Sequence, residues 1–299
     1  MRICNPLNWG CGFATRAGCK PALPVRAPLV AISALIALLR DSRLHCIIIS
    51  AFALSSLAEC HQYDASNAKP GAWHPSKEGP ALAPLHASGN GWASTIHTVA
   101  VGKRAAVSFD AVTDPVISPL SFATLPTQEV SYVFAVVRSA SLDYFLPTLI
   151  DAPGLDVRLR RKPLTQEWSF DAGMQGCKPA SETNFAIRVN GVDTRRFIPA
   201  QGFQLAEISF ESPVALHELR IGGAAPRPQW RRHWRGEIGE MIFLSEAPTP
   251  QQRNALYRYA SRKWGVPVAY DVGGVNVAGT LREMGVDTGT LFANIIVIR

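Results

Sequence analysis

The sequence predicts an all-β fold, a two-sheet antiparallel jelly-roll sandwich with one late amphipathic helix at about residues 249–264. Short β-prone runs recur at the spacing of sandwich strands, and an Asn190-Gly191 pair follows an alternating apolar run, as in a tight hairpin. One strongly capped helix stands near the end. At 299 residues, 47% hydrophobic and 18% charged, the chain can bury a sizeable core.

The β-prone runs lie between the breaker-rich opening and the late helix. The clearest is 132–137, whose near-continuous apolar character predicts a central strand. The other runs are 105–109, 145–150, 155–159, 168–170, 185–189, 205–210, 216–221 and 238–244.

The helix has well-marked ends. Thr249 is a favourable N-cap, Pro250 suits the first helical position, and Gln252 completes a capping box. Gly265 is expected to end the helix. One apolar stripe recurs at intervals of four residues, at Leu256, Ala260 and Trp264.

Residues 1–58 are predicted to be a presequence. Two apolar runs, 27–39 and 46–58, are each short for a membrane span. The second has the length of a signal-peptide core, with Arg40 and Arg43 before it and a small-x-small cleavage site ending at Ala58. We therefore expect a secreted or cell-surface protein. The alternative is a membrane anchor formed by one or both runs, and the long leader allows a translation start downstream of the first Met.

Export would leave Cys60 and Cys177 as the cysteines of the mature chain. They could pair in an oxidising compartment, although the sequence does not show how close their Cβ atoms lie. Cys60 also suggests a lipoprotein, which Glu59 in the preceding position disfavours.

Four stretches share a pattern, in order, with a known family: Tyr63-Asp-Ala-Ser66, Ser88-Gly-Asn-Gly91, Gly102-Lys-Arg-Ala-Ala-Val-Ser-Phe-Asp110 and the segment 235–265. Together they resemble the bacterial laminin-G-like domain of the concanavalin A-like lectin and glucanase superfamily. The resemblance implies one such domain over 59–267, opening with a strand and a long irregular excursion. From composition alone, 63–98 would be a loop or linker.

Residues 268–299 depart from that pattern. They are expected to form a C-terminal β-rich tail of unknown role, with strands near 272–277 and 295–298.

Glu237 and Glu240 are the carboxylates nearest to an enzyme signature. Glycosidases of the resembled superfamily place acids on one strand face in an E-x-D-x-E or E-x-D-x-x-E pattern, whereas here Gly239 stands where the middle Asp would be. An offset of three puts the two acids on opposite faces of a regular strand. We therefore expect structural roles and no catalysis. Glu240 would face the sheet interior or the helix and would need a partner such as an Arg or a backbone N–H.

Metal and cofactor signals are weak. Asp110 and Asp114 flank a turn and are calcium candidates, with turn stabilisation as the alternative. Ala111 replaces the glycine that the resembled family has here. No other metal or cofactor is expected.

The stretch 222–235 carries the predicted ligand site. Aromatic rings stack on sugar faces, and Arg binds hydroxyls, carboxylates or sulfates. Trp234 is expected to pack in the core instead. The predicted ligand-binding residues are Arg227, Trp230, Arg231, Arg232 and His233.

These features predict an exported, non-catalytic module that recognises carbohydrate or an anionic surface polymer through rim loops. The alternative is a structural or adhesive module whose partner is a cell-surface protein, and the third possibility is a jelly-roll glycoside hydrolase or lyase. The net charge of +7 is modest for this length, so a nucleic-acid partner is not expected.

Overall fold

The computed structural model describes the chain over much of its length. The described residues are 59–84, 95–109, 120–122, 129–139, 147–152, 155–161, 168–173, 185–199, 202–215, 219–223, 234–271, 273, 276–289 and 291. All of them belong to one compact unit, Leu57–Arg299. The predicted presequence and the expected strand at 295–298 lie outside the described residues, as does Cys177.

Within these residues the protein is mostly β, with sixteen strands and two helices, which confirms the predicted class. The strands are β1 Cys60–Asp64, β2 Ala68–Lys69, β3 Ala72–Trp73, β4 Leu82–Pro84, β5 His97–Val101, β6 Arg104–Ser108, β7 Leu120–Phe122, β8 Glu129–Ser139, β9 Thr148–Ala152, β10 Leu155–Arg161, β11 Trp168–Gly173, β12 Phe185–Val189, β13 Arg196–Phe197, β14 Gln204–Ala215, β15 Arg220–Ile221 and β16 Gly236–Leu244. The helices are α1 Pro250–Trp264 and α2 Val277–Glu283.

The strands form two sheets, and all the strand pairs between described residues are antiparallel. The seven-stranded sheet has the order β12-β14-β8-β16-β6-β5, with β1 also paired to β16. The nine-stranded sheet has the order β13-β11-β10-β9-β15-β7-β4-β3-β2.

Strand β8 lies inside the seven-stranded sheet and is buried on both faces. Val133, Ala135 and Val137 join a cluster shared with the nine-stranded sheet, which we call the inter-sheet core. Tyr132, Phe134 and Val136 alternate with them and join residues of α1 and α2 in the helix-side core. Because both faces are covered, the strand needs apolar side chains in succession, as the run 132–137 predicted.

Helix α1 begins and ends where the sequence predicted. The Thr249 hydroxyl accepts a hydrogen bond from the Gln252 backbone N–H at 3.3 Å, and the Gln252 side chain accepts one from the Thr249 N–H at 2.8 Å. Gly265 ends the helix in the left-handed conformation, with φ of 67°. The buried side chains of α1 pack against the seven-stranded sheet as part of the helix-side core.

Replacing Thr249 with Ala is expected to lower the free energy of unfolding by about 1 kcal/mol, because the N–H of Gln252 loses its acceptor. Thr249→Ser keeps the hydroxyl and should stay close to the parent chain. Urea unfolding of the two variants measures the difference, and equal stabilities would show that the capping box contributes nothing.

The described part of the tail contains a helix where the sequence predicted a strand ending at residue 277. Helix α2 begins at Val277 because the Asn276 side chain accepts a hydrogen bond from the Gly279 N–H at 3.1 Å. Val277, Leu281 and Met284 then lie on the face that enters the helix-side core. The Asn276 cap and the spacing of these apolar side chains by three and four residues therefore favour a helix over the strand that the local β-propensity predicts.

Among the residues that the structure describes, neither helix has the length and apolar character that crossing a membrane requires.

Candidate functional site

The predicted ligand-binding residues Arg227, Trp230, Arg231, Arg232 and His233 lie outside the described residues. So do the calcium candidates Asp110 and Asp114. Within the described ranges, no group of three or more His, Cys, Asp or Glu side chains could hold a metal ion.

The two ends of the loop that carries the predicted site are described. The Trp234 backbone N–H donates to the Gly222 carbonyl at 2.9 Å, so the loop leaves and rejoins the body at one place. Trp234 is fully buried in the inter-sheet core, where its ring meets Phe197 edge-on. The interpretation of Trp234 as a packing residue is confirmed.

Glu237 and Glu240 lie on the same face of β16, which corrects the expectation of opposite faces. The register with β8 shifts between Ile238 and Glu240, so that Glu237 faces Arg138 and Glu240 faces Val136. Because these two β8 residues are two positions apart, they point to one face, and so do the acids opposite them. A β-bulge at Gly239 supplies the extra residue.

The bulge lies where α1 comes closest to the strand. A Cβ atom added at Gly239 would stand 2.6 Å from the Trp264 ring. The close approach of the helix therefore requires glycine at this position. Packing explains why Gly239 stands in place of the middle acid of the glycosidase pattern.

Glu237 forms an ion pair with one arginine. The Arg138 Nε and Nη2 atoms donate to its two carboxylate oxygens, each at 2.8 Å. The same guanidinium lies over the Phe203 ring, 5.8 Å from its centroid. This fork-like pairing uses both oxygens, so Glu237 is held in a structural contact.

Glu240 is fully buried beneath α1 and is held by four donors. One oxygen accepts from the Gln62 amide at 2.5 Å and from the Tyr259 hydroxyl at 2.7 Å. The other accepts from the Trp264 indole N–H at 2.7 Å and lies 3.0 Å from the Lys263 Nζ. Glu240 faces the helix as predicted, but its charged partner is Lys263 and not an Arg or a backbone N–H.

Lys263 also pairs with Asp64 at the end of β1. Burial alone would raise the pKa of Asp64, but the charge and hydrogen bond of Lys263, with hydrogen bonds from Ser66, hold that pKa below its usual value. Burial and the Glu240 carboxylate raise the pKa of Tyr259 well above its usual value. We call these residues, with Gln62, the Glu240 network, and they attach α1 to β1 and β16.

A cleft of about 270 Å³ lies beside this network. Asp64 and Lys263 form part of its wall and are already engaged with each other. Asp287 also lines the cleft and accepts a hydrogen bond from the Gly289 N–H at 2.9 Å. The acids of this cleft therefore have partners within the protein.

A larger, open groove of about 950 Å³ lies between the β12 hairpin, the first half of α1 and the segment after it. Its wall combines two arginines, two tyrosines and two short polar side chains. These residues are Arg188, Arg253, Tyr257, Tyr270, Asn254 and Asp271.

The hairpin turn forms one edge of the groove. Asn190 and Gly191 have φ of 52° and 79°, as in the tight turn that the sequence predicted. A Cβ atom at Gly191 would stand 2.9 Å from Val268 and 3.2 Å from Tyr257, so the turn packs closely against the other two walls. The Asn190 side chain accepts from the Leu205 N–H at 2.8 Å and fixes the turn on β14.

Two side chains of α1 tie the segment after it back to the helix. Asn254 donates to the Asp271 carbonyl at 2.9 Å and accepts from the Asp271 N–H at 2.7 Å. Arg258 lies over Tyr270, 5.9 Å from the ring centroid. These contacts hold Tyr270 and Asp271 at the groove.

Sequence reasoning did not single out the groove. Its residues come from three segments that are distant in the chain, and each segment looks ordinary by itself. The Asn190-Gly191 turn was the one local signal that pointed to a wall of the groove.

A search of protein-family models finds no match for this chain. Among curated proteins, none matches either. One matching solved structure is titled Trypanosoma rangeli sialidase in complex with the inhibitor DANA. It is 11% identical with a TM-score of 0.36, and the likeness covers 63% of this chain but only 31% of that one. A likeness at this level carries no argument about the function of this chain.

Proposed function

We propose that the protein is an exported, non-catalytic module that recognises carbohydrate, and that its two sheets form a jelly-roll sandwich of lectin type. The observation that carries the proposal is the open groove, in which the half-buried Tyr270 ring stands beside planar polar side chains. Sugar rings offer apolar faces and hydroxyl edges, which suit such a surface. The groove adds a second candidate location to the predicted loop site.

The state of the two strand acids supports a non-catalytic role. Retaining glycosidases use two carboxyl groups about 5–5.5 Å apart that face the substrate. Glu237 is paired with Arg138, and the Glu240 oxygens accept from buried donors beneath α1. Neither acid faces an open surface, since both are buried.

A glycan array probed with the full chain tests the proposal and separates the two locations. The groove variant combines Arg188→Ala with Tyr270→Ala, and the loop variant combines Trp230→Ala, Arg231→Ala and Arg232→Ala. We expect a carbohydrate signal that one of these variants loses by about 10-fold or more, because removing a stacking ring and a charged hydrogen bond costs more than 1.4 kcal/mol. Arg282→Gln, an exposed change on α2, is the control and should bind normally.

The absence of any glycan signal would contradict the proposal and favour the alternative of a protein partner. Turnover of a polysaccharide that Glu237→Gln abolishes would favour a glycoside hydrolase or lyase instead.

A further inference from the structure

A buried carboxyl group lies beneath the groove. Glu207, on β14, is 2% exposed, and one of its oxygens accepts hydrogen bonds from the hydroxyls of Tyr132 and Tyr257. Its other oxygen, Oε1, is buried and has no hydrogen-bond partner among the described residues. Half of this carboxyl group is therefore unsatisfied, which is unfavourable for an ionised side chain.

The groups that face Glu207 come from each element packed against it. From α1 come Arg253, whose Nε lies 3.9 Å from Oε2, and Tyr257. From β8 comes Tyr132, and from β12 comes Arg188, the direct cross-strand neighbour. Burial raises the pKa of Glu207 above its usual value, although hydrogen bonds from the tyrosines and the charges of the arginines oppose the shift.

Neither arginine of the groove forms a short ion pair between described residues. The Arg253 Nε is buried without a hydrogen-bond partner in the described part of the chain, and 3.9 Å from a carboxylate is too far for a hydrogen bond. The exposed acid of the groove, Asp271, already accepts from the Gly273 N–H at 2.9 Å. Two guanidinium groups thus line an open groove with no short carboxylate contact between described residues.

We infer that the groove binds the oxyanion of an acidic sugar, a carboxylate or a sulfate, between Arg188 and Arg253, with Glu207 as the internal carboxyl that competes for Arg253. This inference rests on the proposed function and names the ligand class of the same site. Arg253 is suited to the role because its side chain lines the groove and is 27% exposed, while its Nη2 atom donates to the Pro248 carbonyl at 3.5 Å. Guanidinium groups bind carboxylate and sulfate oxygens through paired hydrogen bonds.

Glu207 makes the binding depend on protons. When Glu207 is ionised, it attracts Arg253 from below and repels an oxyanion placed above it. When Glu207 is protonated, both effects disappear and the arginines are free to pair with the ligand. Because a bound anion in turn favours the protonated form, binding takes up a proton, and affinity rises as the pH falls through the pKa of Glu207.

The test titrates the full chain with sodium glucuronate, glucose 6-sulfate and glucose, each at about pH 8 and about pH 5, where the acidic sugars stay ionised. Calorimetry measures the affinities. We expect at least one acidic sugar to bind ~10-fold more tightly than glucose, as a charged hydrogen bond would give, and more tightly at the lower pH. The two acidic probes distinguish a carboxylate ligand from a sulfate ligand.

Two variants separate the roles. Arg253→Gln should lose the preference for acidic sugars. Glu207→Gln has nearly the same shape but no charge, so it should bind at the higher pH as tightly as the parent chain does at the lower pH. Arg282→Gln is the control, and thermal melting confirms that each variant is folded; if Glu207→Gln does not fold, Arg253→Gln still decides the question.

Equal affinity for glucose and for the acidic sugars would overturn the inference, and so would pH dependence that persists in Glu207→Gln. If neutral glycans bind on the array and Arg253→Gln changes nothing, the anion assignment fails while the proposed function stands. If no glycan binds at either pH, both fail.

Discussion

Glu240→Ala is expected to lower the free energy of unfolding by about 3–5 kcal/mol, the range for breaking a buried ion pair by removing one partner. The carboxylate is fully buried and accepts hydrogen bonds from Gln62, Tyr259 and Trp264. Its removal would leave the Tyr259 hydroxyl and the Trp264 indole N–H without their acceptor, whereas the Gln62 amide would keep the Asp287 carbonyl at 2.9 Å. It would also take from Lys263 one of its two counter-charges. Each unsatisfied buried donor adds about 1–3 kcal/mol in isolation, and the contributions overlap.

Urea unfolding measures this change as a lower midpoint with an unchanged slope. Glu240→Gln keeps the shape and part of the acceptor capacity, so its loss should be smaller than that of the alanine variant. Glu246→Ala removes an exposed carboxylate in the loop before α1 and should change stability by less than about 0.5 kcal/mol. If Glu240→Ala and Glu246→Ala unfold at the same urea concentration, the Glu240 network does not hold α1 to the sheet.

The helix could be predicted from the sequence because its signals are local. Thr249, Gln252 and Gly265 each act within one helical turn, and the structure has both ends where those residues place them. The turn at Asn190-Gly191 was predictable for the same reason. By contrast, the valine-rich stretch 272–277 predicts a strand, whereas in the structure Asn276 caps a helix that begins at Val277.

The facing of Glu237 and Glu240 could not be predicted because it depends on a distant contact. Side chains alternate between the two faces only in a regular strand. The strand bulges at Gly239, which lies against Trp264 at the end of α1, 25 residues later in the chain. The groove was missed for a related reason. Arg188, Arg253 and Tyr270 come together only after β12, α1 and the following segment are packed, so no sequence window contains the site.

Trp234→Ala is expected to lower the free energy of unfolding by about 3–5 kcal/mol, as for other large aromatic side chains removed from a core. Its ring is fully buried and meets Phe197 edge-on with centroids 6.2 Å apart. Phe197 in turn meets Phe170 at 5.4 Å, so the loss would open a cavity within an aromatic cluster of the inter-sheet core. Trp234→Phe keeps a ring there and should lose much less.

The indole N–H of Trp234 strengthens this comparison, because it is buried and has no hydrogen-bond partner among the described residues. The phenylalanine variant therefore removes no hydrogen bond that the structure describes, and the difference between the two variants reports packing alone.

The position of Trp234 at the base of the loop connects this stability test to binding. Trp234 should affect ligand binding only through folding. If the loop is the binding site, Trp230 should affect binding without changing stability. Thermal melting and the glycan array applied to Trp234→Ala and Trp230→Ala separate the two effects. A Trp234→Ala variant that melts like the parent chain but loses its glycan signal would mean that this indole belongs to the ligand surface and not to the core.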